Sequence, residues 1–98
     1  MARLNWTAEA ARWLKDIHDD IAADDPAAAA RVLQGIFGRA AILTEYPDTG
    51  HRYENAGERD IRVLLYGHYR IAYLIKTDEE IDVLGVFHGA LELDRYLL

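Results

Sequence analysis

The chain has no cysteine and only two prolines. The first absence excludes a disulfide framework and thiolate metal sites, and it suits a reducing compartment. The second, beside a hydrophobic fraction of 51%, excludes a Pro-rich disordered tract and predicts a core with fixed side chains. No apolar run approaches the roughly 18 residues that a membrane-spanning helix needs. The N-terminus (MARLNWTAEA) also lacks the basic-then-apolar layout of a signal peptide. A soluble cytoplasmic protein with no membrane partner is expected. Basic residues are scarce too: 11 Lys and Arg stand against 17 Asp and Glu, a formal net charge of −6. Proteins that grip a phosphate backbone usually carry a basic field, so nucleic acid is disfavoured as the main ligand. His18, His51, His68 and His88 have no metal-ligand spacing, and there is no Gly-rich phosphate loop or supported Ser–His–Asp set. Neither metal nor cofactor is expected.

What is present fits one domain over residues 1–98, large enough to bury roughly two thirds of its unfolded surface. Arg3–Trp6 reads as a short strand. Thr7 is placed to cap a helix over about residues 8–22, with Glu9 near its positive end. Ala10, Leu14, Ile17 and Ile21 recur at helical spacing as its apolar stripe. Asp25 can cap a second helix in which Pro26 takes the first position. That helix is expected from Pro26 to about Thr44, burying Ala29, Val32, Leu33, Ile36, Phe37, Ala40 and Leu43. The short connection implies an antiparallel helical hairpin. Trp6 and Trp13 are expected to anchor the first helix. Tyr46–Gly57 (YPDTGHRYENAG) is the one long irregular stretch.

Three strand-like runs fill the last third: Asp60–Tyr66, Tyr69–Lys76 and Ile81–His88, followed by a helical tail from Ala90 to Leu98. Gly67-His68 suits a two-residue type II′ turn. It pairs Tyr66 with Tyr69, Leu65 with Arg70, Val63 with Ala72 and Ile61 with Leu74. A turn centred on Asp78-Glu79-Glu80 would pair Lys76 with Asp82, Leu74 with Leu84, Ala72 with Val86 and Arg70 with His88. Residues directly opposite share a face. Leu64, Tyr66, Tyr69, Ile71, Tyr73, Ile75, Val83 and Phe87 would then face the helices. Ile61, Val63, Leu65, Ala72, Leu74, Leu84 and Val86 would line the opposite face, with Arg70 and His88 at one end. So apolar a second face points to a cover: a separate polypeptide, or this chain's own tail or first strand.

Two segments carry a family resemblance. Gly67-His68-Tyr69-Arg70-Ile71-Ala72-Tyr73 resembles the "YRIxY" strand of the RelE/ParE toxin superfamily. Val86-Phe87-His88-Gly89-Ala90 resembles its "VxHGA" ending, and Tyr46-Pro-Asp-Thr-Gly-His precedes both in the expected order. The resemblance covers nearly all of the chain and is nearest to the ParE-like branch. It implies an α+β fold: an N-terminal strand and an antiparallel helical hairpin on a mainly antiparallel sheet of about four strands, with a short C-terminal helix. It also implies a toxin of a type II toxin–antitoxin module, with a cognate antitoxin as partner. The antitoxin would contact Ile61, Val63, Leu65, Ala72, Leu74, Leu84 and Val86, and DNA would be reached only through it.

By the same resemblance, ParE-like members act on DNA gyrase, whereas RelE-like members cut mRNA on the ribosome with a bed of lysines and arginines on this sheet face. Here Arg70 falls on a family arginine, His88 where some members have histidine, and Tyr96 where some have a functional tyrosine. These three would be the catalytic set of a ribonuclease. Lysine positions are occupied by Ile61 and Val63, and a cationic one by Ala90. Losing even one charge-stabilising donor costs about a hundredfold in rate. The pattern therefore points to a protein-binding toxin rather than a nuclease, although Leu91 stands where ParE-like chains often have arginine. An inactive, antitoxin-binding relative is a third reading. In the plainer structural reading, Arg70 pairs with Glu92, Asp94 or the antitoxin, and His88 is a hydrogen-bonded turn residue.

Overall fold

A computed structural model describes residues 1–97, with Ala90 and Leu91 described by backbone alone. The elements are β1 (Arg3–Trp6), α1 (Ala8–Ala22), α2 (Pro26–Ala41), β2 (His51–Arg52), β3 (Ile61–Tyr66), β4 (Tyr69–Thr77), β5 (Glu80–His88) and α3 (Ala90–Leu97). The sheet runs β1-β5-β4-β3-β2. β1 lies parallel to β5, and the other neighbours are antiparallel. The α+β architecture matches the expected one, with a fifth strand contributed by two residues of the long irregular stretch.

Local chemistry sets the helix starts. The Thr7 hydroxyl accepts from the Ala10 N–H (3.1 Å) and donates to the Val83 carbonyl (2.7 Å), so one side chain caps α1 and ties it to β5. Asp25 accepts from the Ala28 N–H at 3.1 Å, with Pro26 just inside α2. α2 stops at Ala41 rather than running to Thr44, and Ile42–Thr44 tighten into a 3₁₀ turn. The Thr44 carbonyl accepts from the Ala2 N–H (2.8 Å), which brings the N-terminal strand alongside the helix end.

The helical hairpin covers one sheet face. Ala10 and Leu14 of α1 and Ile36 and Ala40 of α2 form one core cluster with Leu64, Ile71, Tyr73, Ile81, Val83 and Val86. Phe37, expected inside, is 44% exposed; it meets Trp6 edge-on at 4.8 Å between ring centroids. The opposite face is covered in its middle by α3. Val63, Ala72 and Phe87 cluster there with Leu93 and, around them, Trp13, Tyr53 and Leu97.

The β3–β4 register is the expected one, from Tyr66 opposite Tyr69 to Ile61 opposite Leu74. Gly67 has φ 56°, and among the described residues no non-glycine residue, His68 included, has positive φ, as a type II′ turn requires. The β4–β5 register differs. Tyr69 pairs with His88, Arg70 with Phe87, Ile71 with Val86 and Ala72 with Gly85; Leu74 pairs with Asp82 and Thr77 with Glu80. The turn holds two residues rather than three, and irregularities between Ala72 and Tyr73 and between Ile75 and Thr77 shift the pairing twice. A one-residue slip moves every following side chain to the other face. Val86 therefore faces the helices, Phe87 turns to the α3 side, and Arg70 and His88 lie on opposite faces. The expected pairing of Arg70 with His88 is corrected accordingly.

Candidate functional site

The last turn of the meander concentrates the chemistry. Arg70 sits on the α3-side face between its cross-strand neighbours Leu65 and Phe87. His88 ends β5 and is exposed, and His68 occupies the β3–β4 turn with its ring centroid 6.1 Å from that of His88. The Tyr69 ring approaches His88 at 5.4 Å, edge-on. Although Arg70 and His88 leave the sheet on opposite sides, both reach the end of it. With Leu65, Gly67, His68 and Gly89 they line one cavity of about 280 Å³. Arg39 of α2 stands nearby: its Nε donates to the Leu65 carbonyl (3.1 Å). β2 pairs only with Arg62 and Val63, so Leu65, paired with Arg70 on one side, has no strand neighbour on the other. Arg39, His68, Arg70 and His88 thus gather at one end of an acidic chain.

Two carboxylates named as possible Arg70 partners are used elsewhere. Asp94 accepts from the Tyr53 hydroxyl at 3.1 Å, and Glu92 accepts from the His88 backbone N–H at 3.4 Å. Among the described residues Arg70 has no ion pair. His88 is a turn-end residue whose N–H helps to cap α3, in line with the plainer reading.

Tyr96 does not join this group. Its hydroxyl donates to Glu9 Oε2 (2.5 Å) at the start of α1, where Glu9 also pairs with Arg12. Its ring meets Trp13 at 5.6 Å and Phe87 at 5.2 Å. Trp13 in turn meets Phe87 edge-on at 4.7 Å. Gly85 makes room for this aromatic trio: a Cβ there would lie 2.7 Å from the Phe87 ring and 3.2 Å from Trp13. Tyr53–Asp94 on one side and Tyr96–Glu9 on the other hold α3 across the sheet. The three residues expected to act together are divided between two places.

The apolar face is also redistributed. Ile61, Val63 and Ala72 are essentially without solvent exposure, and Val86 lies in the helix-side core. Leu65 is 47% exposed, while Leu74 and Leu84 are partly exposed. The cover over the middle of this face is the chain's own tail, one of the alternatives above. Leu74 lies at the polar end of the face. There Lys76 reaches Asp82 (3.6 Å) and Glu80 (3.8 Å) despite the shifted register, and Asn5 donates to Asp82 at 2.9 Å.

Sequence reasoning did not bring out His68, Arg39 or Tyr53. The signal for His68 was its place in the turn beside Arg70. Nothing local marks Tyr53 or Arg39, because both act across the fold. Burial, and to a smaller degree the neighbouring Asp94 carboxylate, pushes the Tyr53 phenol above its ordinary pKa. Burial does the same to Tyr73.

A strand, a helical hairpin and a meander capped by a short helix, with two arginines and two histidines gathered at one end, define a small α+β domain. A chain of the chromosomal ParDE TA system from P. aeruginosa has the same fold, with a TM-score of 0.77 at 22% identity over 92% of this chain and 98% of that one. The candidate toxin Y4kP of Sinorhizobium fredii (strain NBRC 101917 / NGR234) is 38% identical over 87 residues, 89% of this chain and 88% of Y4kP. Residues 4–92 match the family model of the ParE toxin of the type II toxin–antitoxin system, parDE, and the chain belongs to that family. Among the described residues no helix is long and apolar enough to cross a membrane.

Proposed function

We propose that this chain arrests growth by binding a protein target, DNA gyrase, in the cytoplasm, and that a cognate antitoxin neutralises it in a hetero-oligomeric complex. Family membership supports the toxin reading. The observation that supports binding over RNA cleavage is the site itself. Ile61 and Val63, at positions where RelE-like nucleases keep lysines, are buried, and Tyr96 is occupied with Glu9 away from Arg70. Cleavage through a 2′-hydroxyl needs a base, an acid and charge stabilisation around one phosphate. Arg70 and His88 alone do not supply that set. The antitoxin surface of this reading is the open part of the α3-side face, centred on Leu65 beside Arg70, rather than the buried residues beneath α3.

Two assays test the reading. Induction of the chain alone should stop growth and inhibit gyrase supercoiling, and co-expression of its cognate antitoxin should restore both. Unimpaired supercoiling together with mRNA cleavage on ribosomes would reverse it in favour of the ribonuclease.

A further inference from the structure

We propose that the cavity between His68, Arg70 and His88 is an anchoring site for a carboxylate side chain of a partner polypeptide. In the reading above, that side chain comes from an acidic segment of the antitoxin. The inference rests on that reading for the partner's identity, and on the cavity for its chemistry.

Four observations converge. First, Arg70 is partly buried between Leu65 and Phe87 and has no ion pair among the described residues. A guanidinium that is partly shielded from water and has no counter-charge of its own is free to take one from a partner. Its planar fork matches a carboxylate with two parallel N–H···O bonds. Second, His68 and His88 line the same cavity with ring centroids 6.1 Å apart, and an imidazole can donate an N–H to an anion. Third, α3 begins at Ala90 directly after the lining residue Gly89, so whatever its Glu92 leaves uncompensated of the positive helix end adds to the field. Fourth, the cavity holds about 280 Å³, just under the range of about 300–1,000 Å³ for small-molecule sites, and Leu65 offers an apolar shoulder. A side chain fits this space better than a nucleotide does.

The surroundings favour an isolated carboxylate over a nucleic-acid strand. Glu92 faces the same rim through the His88 N–H, and residues 77–98 carry six acids against Arg95 alone. A run of phosphates crossing that rim meets like charge, whereas one carboxylate entering from the Leu65 side meets Arg70 first.

The test uses the full-length isotope-labelled chain, with hexaglutamate and hexauridylate as probes at equal concentration. Hexaglutamate should shift the Arg70 Nε–H and the His68 and His88 ring resonances together. Arg70→Leu should weaken its binding by about tenfold or more. Should Arg70→Leu disturb the fold, the double variant His68→Gln, His88→Gln gives the same readout, with a smaller loss expected. Tighter binding of hexauridylate, no shift at these three side chains, or undiminished binding by the variants overturns the proposal. These results are separable from the growth and gyrase assays, because a peptide titration does not depend on the cellular target.

Discussion

The phenol of Tyr73 is the most informative single atom group to perturb. Its side chain is fully buried in the helix-side core. The hydroxyl accepts from the Gly50 N–H (2.9 Å) and donates to the Pro47 carbonyl (2.6 Å), so it fastens the Tyr46–Gly57 stretch to the centre of the sheet. Tyr73→Phe keeps the ring and removes both bonds. The Gly50 N–H is then left buried without an acceptor, while the partly exposed Pro47 carbonyl can recruit water. A lost hydrogen bond is worth about 1 kcal/mol, and an orphaned buried donor adds about 1–3, so about 2–4 kcal/mol is expected in total. For a domain of this size that lowers the melting temperature by about 8 °C or more. Circular dichroism melts and urea titrations measure it, and hydrogen exchange of the Gly50 amide localises it. A melting temperature within about 2 °C of the parent, with Gly50 still protected, would refute the reasoning.

The same phenol makes a pH prediction. Burial raises the folded-state pKa of Tyr73 above its ordinary value, so the folded chain holds its proton after the unfolded chain has released it. The phenol's contribution to stability is therefore complete below the unfolded pKa of about 10 and declines as pH rises through the folded value. The gap in stability between the parent and Tyr73→Phe should accordingly narrow above about pH 10.

Other perturbations read other links. Thr7→Ala removes the α1 cap and the tie to Val83 together, and denaturant melts should show a loss of about 1–2 kcal/mol, against about 1 for Asp25→Ala, which caps only α2. Gly85→Ala drives a methyl into the Phe87 and Trp13 rings and should cost about 1–3 kcal/mol, with exchange protection falling in α3 as well as β5. Tyr96→Phe cuts the bond to Glu9, and growth arrest on induction should persist; its loss would return Tyr96 to the functional site.

The helical half was legible because its determinants are local. Thr7, Asp25 and Pro26 sit within a few residues of the bonds they make, and the apolar spacing of Ala10, Leu14, Ile36 and Ala40 needs no knowledge of the rest of the chain. The β3–β4 hairpin was legible for a similar reason, since a two-residue turn with glycine first leaves only one register. The β4–β5 hairpin was not. Its Asp78-Glu79-Glu80 segment admits turns of two or three residues, and the irregularities at Lys76 and Leu84 carry no marker of their own. Lys76 and Asp82 still meet, because long charged side chains span the slip. β2 is too short to leave a periodic signal, and Phe37 turns outward to meet Trp6, a partner set by tertiary geometry.

That slip has a functional consequence. With the three-residue turn, Phe87 would enter the helix-side core, and Val86 and His88 would share a face with Arg70. With the observed register, Phe87 emerges on the α3 side and meets Trp13 and Tyr96 over Gly85. α3 gains an apolar seat there, and Leu93 and Leu97 close over Val63 and Ala72. The face that a nuclease of this superfamily would keep open and cationic is thus filled from within, and Tyr96 is drawn to the α1 side. What stays accessible is the end of the sheet, where Leu65 and Arg70 lie side by side and the two histidines complete the rim. The two-residue turn, whose register returns at Arg70 because the extra residues on the two strands offset each other, therefore separates Arg70 from His88 and leaves a small cationic socket beside an apolar shoulder. That shape is what the proposed binding of another protein chain, rather than cleavage of RNA, draws on.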